Sequence, residues 1–163
     1  MVSSLQKAID HASIVSFDVF DTLIKRNCAN PTDIFTITEK RFNRQHEDKI
    51  TGFKNARIKA ERYARTLEDT GEIDFDAIYD NLNFPHKDEL KQLELLCEES
   101  YCVPNKRLKA IYDYCVINKK TVICISDTYL PAKIIRKLLE SAGYHNIKKI
   151  YVFNDNHGQE TDA

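Results

Sequence analysis

Residues 13–24, SIVSFDVFDTLI, are the stretch from which the fold of this chain can be predicted. The stretch opens with an apolar, β-branched run, which predicts a strand over residues 13–18 that is buried on both faces. That strand ends on Asp18, and Asp21 follows three residues later. A carboxylate in an apolar setting costs free energy unless it is hydrogen-bonded or bound to a cation. The two aspartates therefore mark the end of this strand as a candidate functional site.

The composition is typical of a globular protein, and the nearly neutral net charge argues against some classes of binding partner. The 163 residues are 42% hydrophobic and 30% charged, and the formal net charge is −1, so we expect no nucleic-acid or membrane partner. No run approaches the ~18 apolar residues of a membrane span, and the N-terminus lacks a signal-peptide pattern. The five cysteines have no CxxC spacing, which predicts reduced thiols in a cytoplasmic protein. The charged residues over 54–68 alternate in sign and predict a solvated helix face.

The second half of the chain predicts an α/β fold. Apolar strands are expected over residues 121–125 and 147–153. A helix over 131–142, which stops at Gly143, joins them. Because a helix separates the two strands, they are expected to pair in parallel.

The segment between the first and second strands is too long for a single crossover helix. Its apolar residues recur at helical spacing, which predicts an inserted helical cap over residues 27–103 that stands over the carboxyl edge of the sheet. We therefore expect a Rossmann-like parallel sheet built from residues 1–26 and 104–163. The helices in and just after the insertion are expected to begin near Pro31, Phe53, Asp74, Pro85 and Pro104.

Two polar side chains are expected at the edge of the sheet where such proteins bind ligands. Asp18 and Ser126 both fall at the carboxyl ends of predicted strands, and this is the edge that α/β sheets use for binding. A carboxylate there can attack phosphorus or carbon as a nucleophile. A second carboxylate can share a Mg²⁺ ion or transfer protons, and a hydroxyl can donate to a phosphoryl oxygen.

Two motifs resemble those of the haloacid dehalogenase-like (HAD) superfamily. FDVFDTL, at residues 17–23, is similar to its first motif, a nucleophilic Asp followed four residues later by Thr and Leu. TVICISD, at residues 121–127, is similar to its second motif, an apolar strand that ends in Ser or Thr. The longer strings SFDVFDTLI and ISDTYLP resemble a bacterial subgroup of HAD hydrolases often encoded among surface-polysaccharide genes. The resemblance implies a HAD-like fold of the helical-cap type.

The same resemblance implies roles for individual residues. Asp18 matches the nucleophile and a ligand of Mg²⁺, the expected cofactor, and the backbone carbonyl of Phe20 is the second ligand. Thr22 matches the residue that braces the turn, and Ser126 matches the hydroxyl that binds the phosphate of a small phosphorylated substrate. The acid/base Asp of the family falls at Phe20 here. Asp21, one residue later, is therefore either a displaced proton-transfer group or a brace for the turn.

Two more residues are expected beside the substrate. Asp127 directly follows Ser126, where it either shapes the rim of the site or forms the turn before Pro131. Lys133 lies at the start of the next helix, from which it can reach the site.

The third and fourth HAD motifs, a Lys or Arg and a set of acidic Mg²⁺ ligands, have no match in the chain, so the sheet is expected to be incomplete. Three functions stay open. The chain is a HAD-type hydrolase with a displaced or partner-supplied metal site, a catalytically weak or truncated remnant with a binding role, or a nucleotide- or flavin-binding module. The last is least favoured, because no Gly-rich loop follows the first strand. Without a further strand beside it, the first strand becomes an edge, which predicts self-association through it.

Overall fold

The structure is a computed structural model that describes residues 4–70 and 72–153. Within these residues, seven helices and five strands follow one another. The helices are α1 (Ser4–His11), α2 (Asp33–Gln45), α3 (Phe53–Leu67), α4 (Phe75–Asp80), α5 (Lys87–Tyr101), α6 (Lys106–Ile117) and α7 (Ala132–Ser141). The strands are β1 (Ile14–Phe17), β2 (Ile24–Arg26), β3 (Cys102–Pro104), β4 (Thr121–Ser126) and β5 (Lys149–Val152).

Three of the strands form a parallel sheet in the order β1-β4-β5. In its register Phe17 pairs with Cys124, and Ser126 pairs with Val152. Because the strands run in the same direction, their carboxyl ends meet at one edge. The predicted α/β class is confirmed. In the described part of the chain β1 is an edge strand, as expected.

β1 is not buried on both faces, and that expectation was wrong. Phe17 is buried and packs edge-to-face on Tyr112 of α6, with ring centroids 6.3 Å apart, whereas Ile14 keeps 58% of its surface exposed. The same alternation continues in β4, where Cys124 is buried and Ile125 is exposed. An apolar run does not distinguish a strand covered on two faces from one covered on a single face. Here the opposite face of the sheet is open within the described residues.

β2 and β3 form a two-stranded antiparallel ribbon that the sequence analysis did not predict. Ile24 pairs with Pro104, and Arg26 pairs with Cys102. The expected helix start at Pro104 was wrong, because Pro104 ends β3 and α6 begins at Lys106. Pro is compatible with this position because a strand of a two-stranded ribbon has a free edge. The expected cap of residues 27–103, predicted to be almost wholly helical, therefore ends in two strand residues, Cys102 and Val103.

The four helices α2–α5 lie between β2 and β3, and we call this segment, residues 27–101, the helical insertion. α3 begins at Phe53, as predicted. α4 is capped by Asp74, as predicted, because its Oδ1 accepts a hydrogen bond from the N–H of Ala77 at 2.6 Å. α2 packs along α5 and α3. The division of the chain into a core and a separate cap stays a prediction.

The end of α7 confirms the predicted stop at Gly143. This residue has φ 88°, a conformation that only glycine adopts without strain. Its N–H donates to the carbonyl of Glu140, and the N–H of Tyr144 donates to the carbonyl of Leu139, both at 2.9 Å. β5 begins at Lys149, two residues later than predicted. Across residues 4–70 and 72–153, none of the helices has the length and apolar character needed to cross a membrane.

Candidate active site

The turn after β1 holds Asp18 in a defined position. The hydroxyl of Thr22 donates to Oδ2 of Asp18 at 2.7 Å. The carbonyl of Val19 accepts hydrogen bonds from the N–H groups of Leu23 at 2.9 Å and Ile24 at 3.0 Å. Those three apolar residues are fully buried, whereas Asp18 is exposed. The turn is therefore anchored in the core by its apolar side chains and presents the Asp18 carboxylate at the surface.

Asp21 and Phe20 have different surroundings within this turn. Asp21 is exposed and left-handed, with φ 58°, a conformation that Asp adopts more readily than most residues. This geometry gives the turn-bracing role a physical basis, and proton transfer by Asp21 stays a prediction. Phe20 is half-buried, and the Cζ of Arg26 lies 4.3 Å from its ring centroid. Metal binding by the Phe20 carbonyl stays a prediction.

β4 brings Ser126 to the same edge of the sheet as Asp18. Since Phe17 is the register partner of Cys124, Asp18 and Ser126 both lie just beyond that pair. Burial raises the pKa of the Cys124 thiol to about 12, and the nearby charge of Asp18 adds to this effect. Ser126 is buried at 2% exposure, and its carbonyl accepts a hydrogen bond from the N–H of Phe153 at 3.2 Å. The hydroxyl of Ser126 is thus carried on backbone that the sheet fixes.

A cleft of about 350 Å³ lies beside this edge, between the turn and the helical insertion. Phe20 and Asp127 line it from the sheet side, and Phe35 of α2 and Arg65 of α3 line it from the insertion. The structure thus brings two of the predicted site residues, Phe20 and Asp127, into one cleft. The other predicted residues, Asp18, Asp21, Thr22, Ser126 and Lys133, do not line it. Lys133 is exposed in the first turn of α7.

Tyr129, in the loop after β4, joins the sheet to the helical insertion. Its ring stacks on Phe75 of α4, with centroids 6.0 Å apart, and lies 5.1 Å from the Cζ of Arg57. Arg57 is fully buried and donates two hydrogen bonds to Glu94, at 3.0 and 3.1 Å. The hydroxyl of Tyr79 donates to the same carboxylate at 2.6 Å. Burial raises the pKa of Tyr129, so this side chain is a neutral phenol at physiological pH.

Arg26 of β2 makes a second link to the insertion. It donates to both carboxylate oxygens of Glu98, at 2.8 and 3.0 Å, and Glu98 is 2% exposed. Burial alone would lower the pKa of Arg26, but the hydrogen bonds and charge of Glu98 outweigh it and raise the pKa. Burial, followed by the charge of Glu98, raises the pKa of the Cys102 thiol to about 12. Cys102 is therefore protonated at neutral pH and is a poor nucleophile.

The sequence analysis missed the buried charges around this cleft. Arg57 was assigned to a solvated helix face and Arg26 was not singled out, because the partners of both residues, Glu94 and Glu98, lie far along the chain. A local signal for Arg57 did exist. It recurs at helical spacing with other buried residues of α3, namely Phe53, Ala60 and Ala64.

No family model matches the chain, and no curated protein matches it either. The functional proposal therefore rests on the two motifs, at residues 17–23 and 121–127, and on the geometry of this edge.

Proposed function

We propose that this chain is a cytoplasmic hydrolase of the HAD type that uses Asp18 to cleave the phosphate ester of a small metabolite. One observation carries the proposal. Thr22 donates to a single carboxylate oxygen of Asp18, and Asp18 is exposed at the carboxyl edge of a parallel sheet. α/β proteins bind their ligands beyond this edge. The turn thus fixes the orientation of a carboxylate where a substrate can reach it.

The proposed reaction has two steps. An oxygen of Asp18 attacks the phosphorus, the bond between phosphorus and the ester oxygen breaks, and the released alcohol takes a proton from water or from Asp21. Water then loses a proton to Asp21 or to solvent as it attacks the phosphorus of the aspartyl phosphate, the bond to Asp18 breaks, and inorganic phosphate leaves. Thr22 keeps the carboxylate oriented in both steps, and Ser126 donates a hydrogen bond to a phosphoryl oxygen.

The cleft beside the turn gives room for the organic part of the substrate. Its volume of about 350 Å³ lies within the usual range for small-molecule sites, about 300–1,000 Å³. Phe20 and Phe35 offer apolar surface, and Asp127 offers a carboxylate that can accept hydrogen bonds from hydroxyl groups. Lys133 is exposed at the start of α7 and supplies positive charge toward the phosphate.

The expected cofactor is Mg²⁺. This ion usually keeps several waters and takes one or two protein carboxylates together with substrate phosphate oxygens. The exposed Asp18 fits such a set, and Asp18 with the backbone carbonyl of Phe20 would hold the ion, which would neutralise charge on the phosphate. In the part of the chain that the structure describes, no group of three or more His, Cys, Asp and Glu side chains is arranged to hold a metal.

Substitution of Asp18 and Ser126 tests the proposal directly. Hydrolysis of a generic aryl phosphate should require Mg²⁺ and should be abolished by Asp18→Asn. Ser126→Ala should lower kcat by roughly 10²–10³-fold, because it removes a donor to the developing negative charge. Steady-state kinetics with added Mg²⁺ and with a chelator measures each effect.

Two matched variants serve as controls. Asp80→Asn changes an exposed aspartate at the end of α4, and Ser100→Ala removes an exposed hydroxyl of α5, so neither should alter turnover. Full activity in Asp18→Asn would remove this residue from the mechanism. A wild-type chain that binds phosphate esters without cleaving them would replace the hydrolase with the alternative function, a HAD-fold protein with a binding role.

A further inference from the structure

A second concave surface lies on the helical insertion, along α2 and α5. This groove, of about 430 Å³, is lined by Ile37, Lys40, Arg41, Arg44, Cys97 and Tyr101. It shares no lining residue with the cleft beside Asp18. The buried Cys97 and the half-buried Ile37 and Tyr101 form its apolar part. The basic side chains of Lys40, Arg41 and Arg44, all on α2, form the rest of the lining, which contains no carboxylate.

The charge of this groove is not neutralised within the described residues. Three basic residues of the neighbouring α3 are paired there, since Lys54 bonds Asp33 at 2.9 Å, Arg57 bonds Glu94 at 3.0 Å and Arg65 bonds Glu61 at 3.2 Å. In the same described ranges, Lys40, Arg41 and Arg44 make no ion pair. Lys40 and Arg44 are four residues apart on one helix face, an arrangement of like charges that destabilises a helix. A bound anion would relieve this repulsion.

We propose that the groove is a binding site for a small phosphorylated molecule that carries two or more negative charges. The planar guanidinium groups of Arg41 and Arg44 match the oxygens of a phosphate in pairs. Tyr101 and Ile37 provide a surface for the carbon skeleton of the ligand. The volume suits a small molecule, and the apolar floor at Cys97 is buried, where the flat surface of a membrane does not reach. The groove binds its ligand whether or not Asp18 is a nucleophile.

Isothermal titration calorimetry with pyrophosphate tests this site in the full chain. We expect one pyrophosphate per chain at the groove. The double substitution Lys40→Gln with Arg44→Gln should weaken binding at least about tenfold, since it removes charge-assisted hydrogen bonds. Arg62→Gln removes the charge of an exposed arginine of α3 outside the groove and should change the affinity by less than about twofold.

Each other outcome overturns the site. If Arg62→Gln weakened pyrophosphate binding as much as the double substitution does, the affinity would depend only on the net charge of the protein. Loss of all binding in Asp18→Asn, with the double variant unaffected, would place the ligand at the edge of the sheet instead. If the chain cosediments with phosphatidylserine vesicles and pyrophosphate does not release it from them, the surface is a membrane contact instead. Should the double variant fail to fold, Arg44→Gln alone provides the same comparison with Arg62→Gln.

Discussion

Asp18 and Thr22 form the smallest unit on which the proposed function depends. The hydrogen bond of 2.7 Å between them spans one short turn, and the N–H groups of Leu23 and Ile24 close that turn by donating to the carbonyl of Val19. A carboxylate with free rotation would present its oxygens in many directions. Thr22 restricts that rotation, so its hydroxyl should matter more to catalysis than to stability.

Thr22→Val tests this division of roles, because valine keeps the shape of threonine and removes only the hydroxyl. We expect kcat to fall roughly tenfold and the free energy of unfolding to fall by about 0.5–1.5 kcal/mol, the usual net contribution of one hydrogen bond. Kinetics and chemical denaturation measure the two effects. Thr22→Ser, which keeps the hydroxyl, should restore most of kcat. Equal kcat values in the Val and Ser variants would contradict the role of Thr22.

The strands of the parallel sheet differ in how fully they are paired, and β1 is one of its two edge strands. It has one neighbour within the described residues, so one row of its backbone N–H and C=O groups has no partner strand there. The open face of the sheet carries exposed apolar side chains, from Ile14 of β1 at 58% to Tyr151 of β5 at 46% and Phe153 just after β5 at 64%. Parallel sheets are normally covered on both faces. An edge of this kind, without Pro or Lys to discourage pairing, tends to pair with another chain.

We therefore expect concentration-dependent self-association through β1. Sedimentation velocity at micromolar concentration should detect it, and Ile14→Lys should suppress it by placing a charge at the edge. Ile117→Lys is the matched control, because Ile117 is 78% exposed at the end of α6, outside the sheet. A wild-type chain that stays monomeric, or association that both substitutions reduce equally, would contradict pairing through β1.

Local pattern explains which elements could be predicted from the sequence. The helices α3 and α7 repeat apolar residues every three or four positions, and Asp74 and Gly143 mark helix ends by their own chemistry, so a window of a few residues suffices. β2 has three residues and depends on β3, which lies beyond four helices. A strand that short shows no period of its own, so the sequence contained no signal for the ribbon.

In the candidate site, too, residues in short local motifs could be predicted, and contacts between distant segments could not. Asp18, Thr22 and Ser126 belong to short motifs at strand ends, and so the sequence identified them. The hydrogen bond from Thr22 to Asp18 could be expected because the two residues are neighbours in one turn. The contact of Tyr129 with Arg57 could not be predicted, because it joins a loop after β4 to a helix of the insertion. Pairing between distant segments is decided by packing and leaves no periodicity in either one.

At the scale of the whole molecule, Tyr129 connects the parallel sheet to the helical insertion, and Arg26 connects the β2–β3 ribbon to it. The ring of Tyr129 contacts both the ring of Phe75 and the buried Arg57. Arg26 pairs with the buried Glu98 of α5. Both contacts flank the cleft beside Asp18, so movement of the insertion would also change the shape of that cleft. The stability of the whole chain should therefore depend on the ring of Tyr129.

Tyr129→Ala should lower the free energy of unfolding by about 2–3 kcal/mol, somewhat less than for a fully buried aromatic residue, because the ring is half-buried. Tyr129→Phe keeps the ring and should cost less than about 1 kcal/mol. Urea denaturation followed by circular dichroism measures both. A loss in Tyr129→Phe as large as that in Tyr129→Ala would show that the hydroxyl, rather than stacking of the ring, makes the connection.

The register of the sheet also has a consequence during synthesis on the ribosome. Ile14 of β1 pairs with Thr121 of β4. Because β4 lies far along the chain, β1 leaves the ribosome long before β4 has been synthesised. The helices between them contact neighbours close in sequence, such as α2 with α3 and α3 with α4, and short loops close fastest. The helical insertion should therefore fold first. Until β4 has been synthesised, the backbone N–H and C=O groups of β1 have no partner strand on either side. During that interval the apolar run that later anchors Asp18 is the segment most exposed to chaperones and to neighbouring nascent chains.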